Sequence, residues 1–158
     1  MRNLIVLLIC LLTAGPLLAS GSITPPEAPI IVYQAEDDYE AVKSNLEIAI
    51  TGRGMVISSM LHISDMFQRT AQDTGLPNTL YDQAEAFEFC SIRLSHQMSA
   101  AHPANLSICP LVIGIYTLQE EPGMVYVSYR RPSMLGDAGA AEQALLDLYK
   151  GIVTESIE

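Results

Sequence analysis

Basic residues are scarce in this sequence. It contains 8 lysine and arginine residues against 18 aspartate and glutamate residues, a formal net charge of −10 at pH 7. A surface of this sign repels phosphate backbones and anionic lipid headgroups, and its main effect is on solubility. We therefore expect no nucleic-acid partner, and no membrane partner after cleavage of the leader described below.

The motifs of several common enzyme classes are also absent. The sequence has no Gly-x-Ser-x-Gly nucleophile turn, no glycine-rich phosphate loop and no zinc-protease helix. His62 has no acid or nucleophile in a recognisable pattern with it, so a structural histidine is the simpler interpretation. We expect no enzyme, no catalytic residue and no cofactor.

Long apolar runs occur only at the N-terminus. Met1, Arg2 and Asn3 precede "LIVLLICLLTAGPLLASG", a run that is short for a membrane span and interrupted by proline and glycine. The small residues that end it favour cleavage after Gly21, or after Ala19. We expect a signal peptide at 1–21 and a periplasmic or secreted product. An uncleaved anchor is the alternative, against which the polar stretch that follows argues.

The remainder has the size of one domain. Removing 21 of the 158 residues leaves about 137, enough to bury a hydrophobic core. Residues 22–29 contain several prolines and indicate a linker, and the sequence shows no internal repeat. We expect a single domain at 30–158.

Hydrophobic periodicity predicts an α+β fold. Strand and helix patterns alternate in the order β-α-β-α-β-α-β-β-α. The natural architecture is an antiparallel sheet of about five strands with helices packed mainly on one face. The stretch "LSICPLVIGIYTL" is apolar on both faces, which indicates a central strand or one whose outer face meets a partner.

Local signals predict where the elements begin and which faces they bury. Asp37 with Glu40 has the spacing of a capping pair, and Ser64 and Ser91 are expected helix N-caps. The third strand is predicted at 84–90 and the fourth from Leu106. The predicted buried stripes are Tyr39, Val42, Leu46 and Ala49 for the first helix, Leu94, Met98 and Ala101 for the third, and Ala141, Leu145, Leu148 and Ile152 for the last.

The order of these segments resembles the domain of unknown function 302 family. The similar segments are "DDYEAVKSNLEIAITGRGMVI", "LHISDMFQRTAQDTGLP", "FEFCSIRLSHQM", "CPLVIGIY" and "VYVSYRRP", within roughly residues 35 to 155. The resemblance implies an α+β fold with an antiparallel sheet, a homodimer, and no established catalytic residue. Cys90 and Ser91 stand where the family has an Asn-Pro type turn, which points to an exported, cysteine-bearing branch.

Only three cysteines are present, and Cys10 is lost with the leader. Cys90 ends one predicted strand and Cys109 begins the next, so antiparallel pairing of those strands would bring both sulfurs to one end of the sheet. In an oxidising compartment a structural disulfide is favoured. A redox pair, a metal site that includes His96, Met98 or His102, and free inert thiols are the alternatives, and the metal is unknown.

Four further residues are candidates for ligand binding: Ser91, Arg93, His96 and Arg130. Arg130 and Arg131 end the last strand, where one of them could hold a carboxylate or another anion. Two functional classes follow from the sequence. The first is a non-catalytic periplasmic binding or accessory module that holds a small ligand or a periplasmic protein. The second is a thiol-based redox, sulfur-handling or metal-binding protein that acts through Cys90 and Cys109.

Overall fold

The computed structural model describes residues 21–75 and 80–158. Apart from Gly21, the predicted leader lies outside this range, as does Pro77, which we expected to stop the second helix. The predicted linker makes contacts with the domain, because Ile23 N–H donates to the carbonyl of Val32 at 2.8 Å.

Within the described residues, five strands and four α-helices follow one another in the predicted order. They are β1 (Ile30–Glu36), α1 (Tyr39–Thr51), β2 (Val56–His62), α2 (Ile63–Thr74), β3 (Tyr81–Cys90), α3 (Ile92–Ala101), β4 (Leu111–Leu118), β5 (Met124–Arg130) and α4 (Gly139–Ile157), with a short 3₁₀ helix at Pro103–Ile108 between α3 and β4. The α+β fold predicted from periodicity is therefore confirmed.

The strands form one antiparallel sheet in the order β1-β5-β4-β3-β2, with β4 in the centre. Residues of β4 and β5 alternate strictly between buried and half-buried positions. Because successive side chains of a strand point to opposite faces, this alternation gives the sheet a core face and an open face. Of the two alternatives for the doubly apolar strand, the central position is the one that the structure shows.

The core lies between the sheet and helices α1, α3 and α4. Helix α1 packs against α4, and α4 also contacts α3. The predicted stripe of α1 is fully buried, with Val42, Leu46 and Ala49 at 0% exposure. Each large apolar side chain buried in this way contributes about 1.5–3 kcal/mol to the transfer free energy.

Helix α2 lies on the opposite, open face. Its Phe67 ring contacts Tyr81, and Tyr81 contacts Tyr116, which points away from the core. Helix α2 contacts β3 and leaves most of β4, β5 and β1 uncovered on this face. The helices are thus packed mainly on one face of the sheet, as expected. Helix α2 lies on the other face and leaves part of it open.

Several predicted boundaries differ from the structure. The N-cap of α1 is Asp38, whose Oδ1 accepts from Ala41 N–H at 3.0 Å, and not Asp37. Helix α2 begins at Ile63, so Ser64 lies inside it. At α1 two neighbouring aspartates offer competing caps, and the chain geometry selects one of them. At α2 the N-cap residue is His62, which makes no side-chain capping hydrogen bond. The prediction of Ser91 as the N-cap of α3 is correct.

Three further differences reflect packing. Strand β3 starts at Tyr81, and residues 103–108 form a 3₁₀ helix where we expected the fourth strand to begin. On α4 the buried stripe includes Tyr149, while Leu148 is only half-buried. The aromatic ring of Tyr149 stacks on Tyr129 with centroids 4.6 Å apart, a contact that helical periodicity alone does not reveal.

The 3₁₀ helix is fastened to the segment before α4 by one buried side chain. Asn105, which is 3% exposed, donates to the carbonyls of Met98 and Leu135 and accepts from Leu135 N–H at 2.9 Å. The same segment passes very close to α3 at Gly136, whose φ is +77°. A Cβ atom at this position would lie 2.3 Å from the Ala101 carbonyl oxygen.

We predict that Gly136→Ala lowers the free energy of unfolding by about 3 kcal/mol, from left-handed strain and backbone overlap together. Gly123→Ala is the matched control, because Gly123 also has a positive φ, +84°, but a Cβ there meets nothing within 4 Å. The control variant should lose about 1 kcal/mol of unfolding free energy. Urea unfolding measures this loss in both variants. Equal losses in the two variants would show that the close approach at Ala101 is not a constraint.

Candidate functional site

The two cysteines of the domain lie at the same end of the sheet. Cys90 is the last residue of β3, and Phe89 beside it pairs with Leu111 at the start of β4. Cys109 comes two residues before Leu111, and its side chain lies near enough to that of Cys90 to influence the Cys90 pKa. The strand pairing that we expected to bring the sulfurs together is therefore present.

Both residues are free thiols in the structure. Cys90 is exposed, whereas Cys109 is half-buried and has its Sγ atom 3.0 Å from the Ser95 hydroxyl oxygen. Because strand pairing places both thiols at this end of the sheet, a disulfide between them needs no rearrangement of the strands. The disulfide itself stays a prediction.

The surroundings of Cys90 oppose thiolate formation. Burial raises the pKa of the Cys90 thiol, and the charge and hydrogen bond of Cys109 raise it further. The backbone N–H of Leu111 acts in the opposite direction, and the negative charge of Glu88 again raises the pKa. Since the thiolate is the nucleophile in thiol chemistry, this site does not favour a highly reactive cysteine.

The other predicted site residues are distributed over several places. The Ser91 hydroxyl accepts from Leu94 N–H at 3.5 Å, so it is occupied in capping α3. Arg93 and His96 are exposed on α3, while Arg130 is exposed at the end of β5. The structure therefore does not assemble these four residues into one site.

The predicted soft metal ligands also have structural roles. Met98 is 1% exposed within the core, and His102 accepts from Ala104 N–H through Nδ1 at the start of the 3₁₀ helix. In residues 21–75 and 80–158, no group of three or more histidine, cysteine, aspartate or glutamate side chains is arranged to hold a metal ion.

A cleft of about 750 Å³ starts on the open face of the sheet, beside the thiols. Its floor includes Ala86 on β3, Gly114 on β4 and Ser128 on β5, which are register partners across the three strands. These residues have small side chains or none, so they form a shallow depression in the surface of the sheet. A Cβ atom at Gly114 would already lie 3.3 Å from the Ser128 hydroxyl oxygen.

The cleft continues around the end of the sheet, where its lining becomes more polar. Arg130 and Arg131 contribute to it, together with Tyr149 from α4. The Nε atom of Arg131 donates to the Ala28 carbonyl at 3.0 Å, which holds that side chain in place. Arg130 forms no ion pair or hydrogen bond through its side chain with any residue in the described ranges.

Tyr149 connects the cleft electrostatically with the thiols. Its hydroxyl accepts from Val112 N–H at 3.2 Å. The pKa of Tyr149 is raised to about 12, chiefly by burial. The Val112 N–H opposes this rise, the charge of Cys109 adds to it, and the guanidinium of Arg130 opposes it. The charges of Cys109 and Arg130 thus both act on one hydroxyl at this end of the sheet.

A cluster around Glu85 was missed by the sequence analysis. Glu85 is 9% exposed on the core face of β3. Its carboxylate lies 2.5 Å from Lys43 Nζ and 2.5 Å from His62 Nδ1, and accepts from the Tyr39 hydroxyl at 3.0 Å. The signal that could have found it is strand parity, because Glu85 shares its face with the predicted inward residues Phe87 and Phe89.

Hydrogen bonds keep Glu85 charged despite its burial. Burial by itself raises the pKa of the carboxyl group, but the hydrogen bonds from Lys43 and Tyr39, the positive charge of Lys43 and the hydrogen bond from His62 together bring it below the ordinary value. The phenol of Tyr39 is affected in the opposite sense, since burial and the Glu85 charge raise its pKa. The cluster fastens α1 to the sheet.

The fold and the site define a small α+β protein with a cleft at one end of an antiparallel sheet. The family model described as domain of unknown function DUF302 matches residues 31–154, and the chain belongs to this family. The resemblance seen in the sequence is thereby confirmed. No curated protein matches the chain.

Three solved protein chains match it. One is the crystal structure of the uncharacterized conserved protein DUF302 from Bacillus stearothermophilus, with 14% sequence identity and a TM-score of 0.61. The match covers 82% of this chain and 98% of that chain. At this level of identity the similarity shows the fold alone. No helix of the described residues has the length and apolar character needed to cross a membrane.

We predict that Glu85→Gln lowers the free energy of unfolding by about 2 kcal/mol at neutral pH, because Lys43 loses its charged partner. The control is Glu40→Gln, since Glu40 also approaches Lys43, at 3.9 Å, but its side chain is 67% exposed. Removing this surface charge should cost less than about 0.5 kcal/mol.

The effect of Glu85 should depend on pH in a defined direction. A carboxyl group whose pKa is lowered on folding stabilises the protein above its ordinary value of 4.5, and this contribution is lost as the pH falls through the folded-state value. Urea unfolding at about pH 7 and about pH 3 should therefore show the difference between wild type and Glu85→Gln shrinking in acid. A difference that is the same at both pH values would contradict the charged cluster.

Proposed function

We propose that this chain is an exported, non-catalytic binding or accessory module that holds a small ligand in the cleft on its sheet. A structural disulfide between Cys90 and Cys109 would stabilise the module. The observation that carries the binding role is the cleft, an accessible concavity of about 750 Å³ in a domain of this size. Ligand sites in proteins are commonly clefts of about 300–1,000 Å³ with mostly apolar walls and a few polar groups.

The position of the cysteines supports a structural disulfide. The bond would join the end of β3 to the second residue before β4, across the loop that contains α3. Closing a loop of this size reduces the entropy of the unfolded chain and stabilises the fold by about 3 kcal/mol. The cleft lies near this end of the sheet, so the bond would also hold two of the three strands that form its floor.

A thiol-based redox function is the second candidate, and the exposure of Cys90 favours it. A surface thiol with an adjacent partner can be attacked or can attack without local unfolding. The raised pKa of Cys90 argues in the other direction, because it lowers the thiolate fraction at neutral pH. We therefore place the structural disulfide first.

The proposed disulfide is tested by mass spectrometry of the exported protein with an alkylating agent under graded reduction. We expect no alkylation of Cys90 or Cys109 without reductant, and a bond that resists mild reductant. Cys90→Ser and Cys109→Ser should each lose about 3 kcal/mol of unfolding free energy relative to the oxidised wild type. The double variant should lose no more than either single one.

Two outcomes would contradict this proposal. Alkylation of both thiols in the exported protein would show that no disulfide forms. A bond that opens in mild reductant and releases a rapidly alkylated thiol would instead support the redox candidate.

The proposed ligand cleft is tested with a neutral apolar fluorophore, N-phenyl-1-naphthylamine. We expect saturable binding, weakened about tenfold by Ser128→Leu, because a larger side chain fills the floor. Gln34→Leu is the control, since Gln34 is on the open face of β1 but outside the cleft lining. Thermal unfolding verifies that both variants fold. Equal binding by the three proteins would place the fluorophore elsewhere and contradict the cleft as the ligand site.

A further inference from the structure

The cleft changes in polarity from one end to the other. On β3 and α2 it is lined by Ala86 and Ile63, and in the centre by Val112 and Gly114 of β4. On β5 the lining becomes Ser128 and Arg130. Adjacent strands lie about 4.8 Å apart, so the apolar part from β3 to β5 is about 10 Å long.

The charge of the cleft is opposite to that of the molecule. The whole chain has a net charge of −10, but the cleft lining contains two arginines and one carboxylate, that of Glu27. Arg131 is held by the Ala28 carbonyl, and Arg53 and Lys43 are paired with Glu155 and Glu85. Arg130 is left with its charge directed to the cleft and without an ion-pair partner among the described residues.

We infer that the ligand of this cleft is a single-chain amphiphile with one carboxylate, such as a medium-chain fatty acid. The carboxylate binds Arg130 beside the Ser128 hydroxyl, and the alkyl chain lies over Gly114 and Val112 towards Ala86 and Ile63. This inference rests on the proposed function, because it names the ligand class of the same cleft.

The geometry accounts for both parts of this ligand. An alkyl chain needs a narrow floor without side chains that project from the sheet, and the row formed by Ala86, Gly114 and Ser128 provides it. A guanidinium binds a carboxylate through two parallel hydrogen bonds, so it fixes the head of the molecule in one orientation. The surrounding acidic surface repels ligands with several negative charges and so favours a monoanion.

The test uses isothermal titration calorimetry with decanoate and with decanol, which has the same chain length and no charge. Wild type should bind decanoate about tenfold more tightly than decanol, the difference expected for one well-placed ion pair. Arg130→Gln should weaken decanoate binding about tenfold and so remove this difference. Lys150→Gln is the control, since Lys150 is exposed on α4 outside the cleft lining and its loss changes the net charge equally.

The outcomes separate this inference from the function on which it rests. If wild type binds N-phenyl-1-naphthylamine in the cleft but binds decanoate no better than decanol, the ligand class is wrong and the binding function stands. If neither the fluorophore nor decanoate binds, both are wrong. An equal effect of Lys150→Gln would show a general charge effect and would overturn the role of Arg130.

A phospholipid headgroup is the other source of an anion with alkyl chains. Sedimentation with phosphatidylglycerol vesicles distinguishes it, because a cleft for a free single chain should show no vesicle binding that depends on Arg130. Vesicle binding lost in Arg130→Gln, without decanoate binding in wild type, would overturn the assignment to a free fatty acid.

Discussion

The antiparallel register of β3, β4 and β5 is the constraint on which the other features depend. Pairing of Phe89 with Leu111 and of Gly114 with Ser128 determines which residues face the helices and which face solvent. A shift of one residue would exchange the two faces of a strand, so the register is specified strongly by the burial of one face. The same pairing brings the ends of β3 and β4 together and with them the two thiols.

The register also explains the charged cluster under α1. Glu85 must face the core because it alternates in phase with Phe87 and Phe89. A buried carboxylate is costly unless its hydrogen-bonding capacity is satisfied, and Lys43, Tyr39 and His62 satisfy it from α1 and β2. Such a cluster adds specificity to the packing of the first helix, because other arrangements of α1 would leave the charge unpaired.

The open face and the core face differ in what covers them. Three helices cover the core face, whereas α2 covers only the β3 side of the open face. Ala86 of β3 is therefore buried, while Gly114 and Ser128 on β4 and β5 stay partly accessible. An arginine at the end of β5 gives this accessible surface a local positive charge within a strongly acidic molecule. Shape and charge together support the binding role proposed for the cleft, and they act through different physical interactions.

The sequence by itself determined the order of the elements, the buried stripe of α1, the Ser91 cap of α3 and the central position of β4. These follow from local periodicity and capping chemistry, which act between residues close in the chain. Sequence also placed Cys90 and Cys109 at the ends of consecutive strands, from which their proximity follows once those strands pair. Only the tertiary structure decided the choice of Asp38 over Asp37, the 3₁₀ helix around Asn105, the partners of Glu85 and the cleft beside Arg130. Each of these depends on residues far apart in the chain, and their distances are set by the register and packing of the whole sheet.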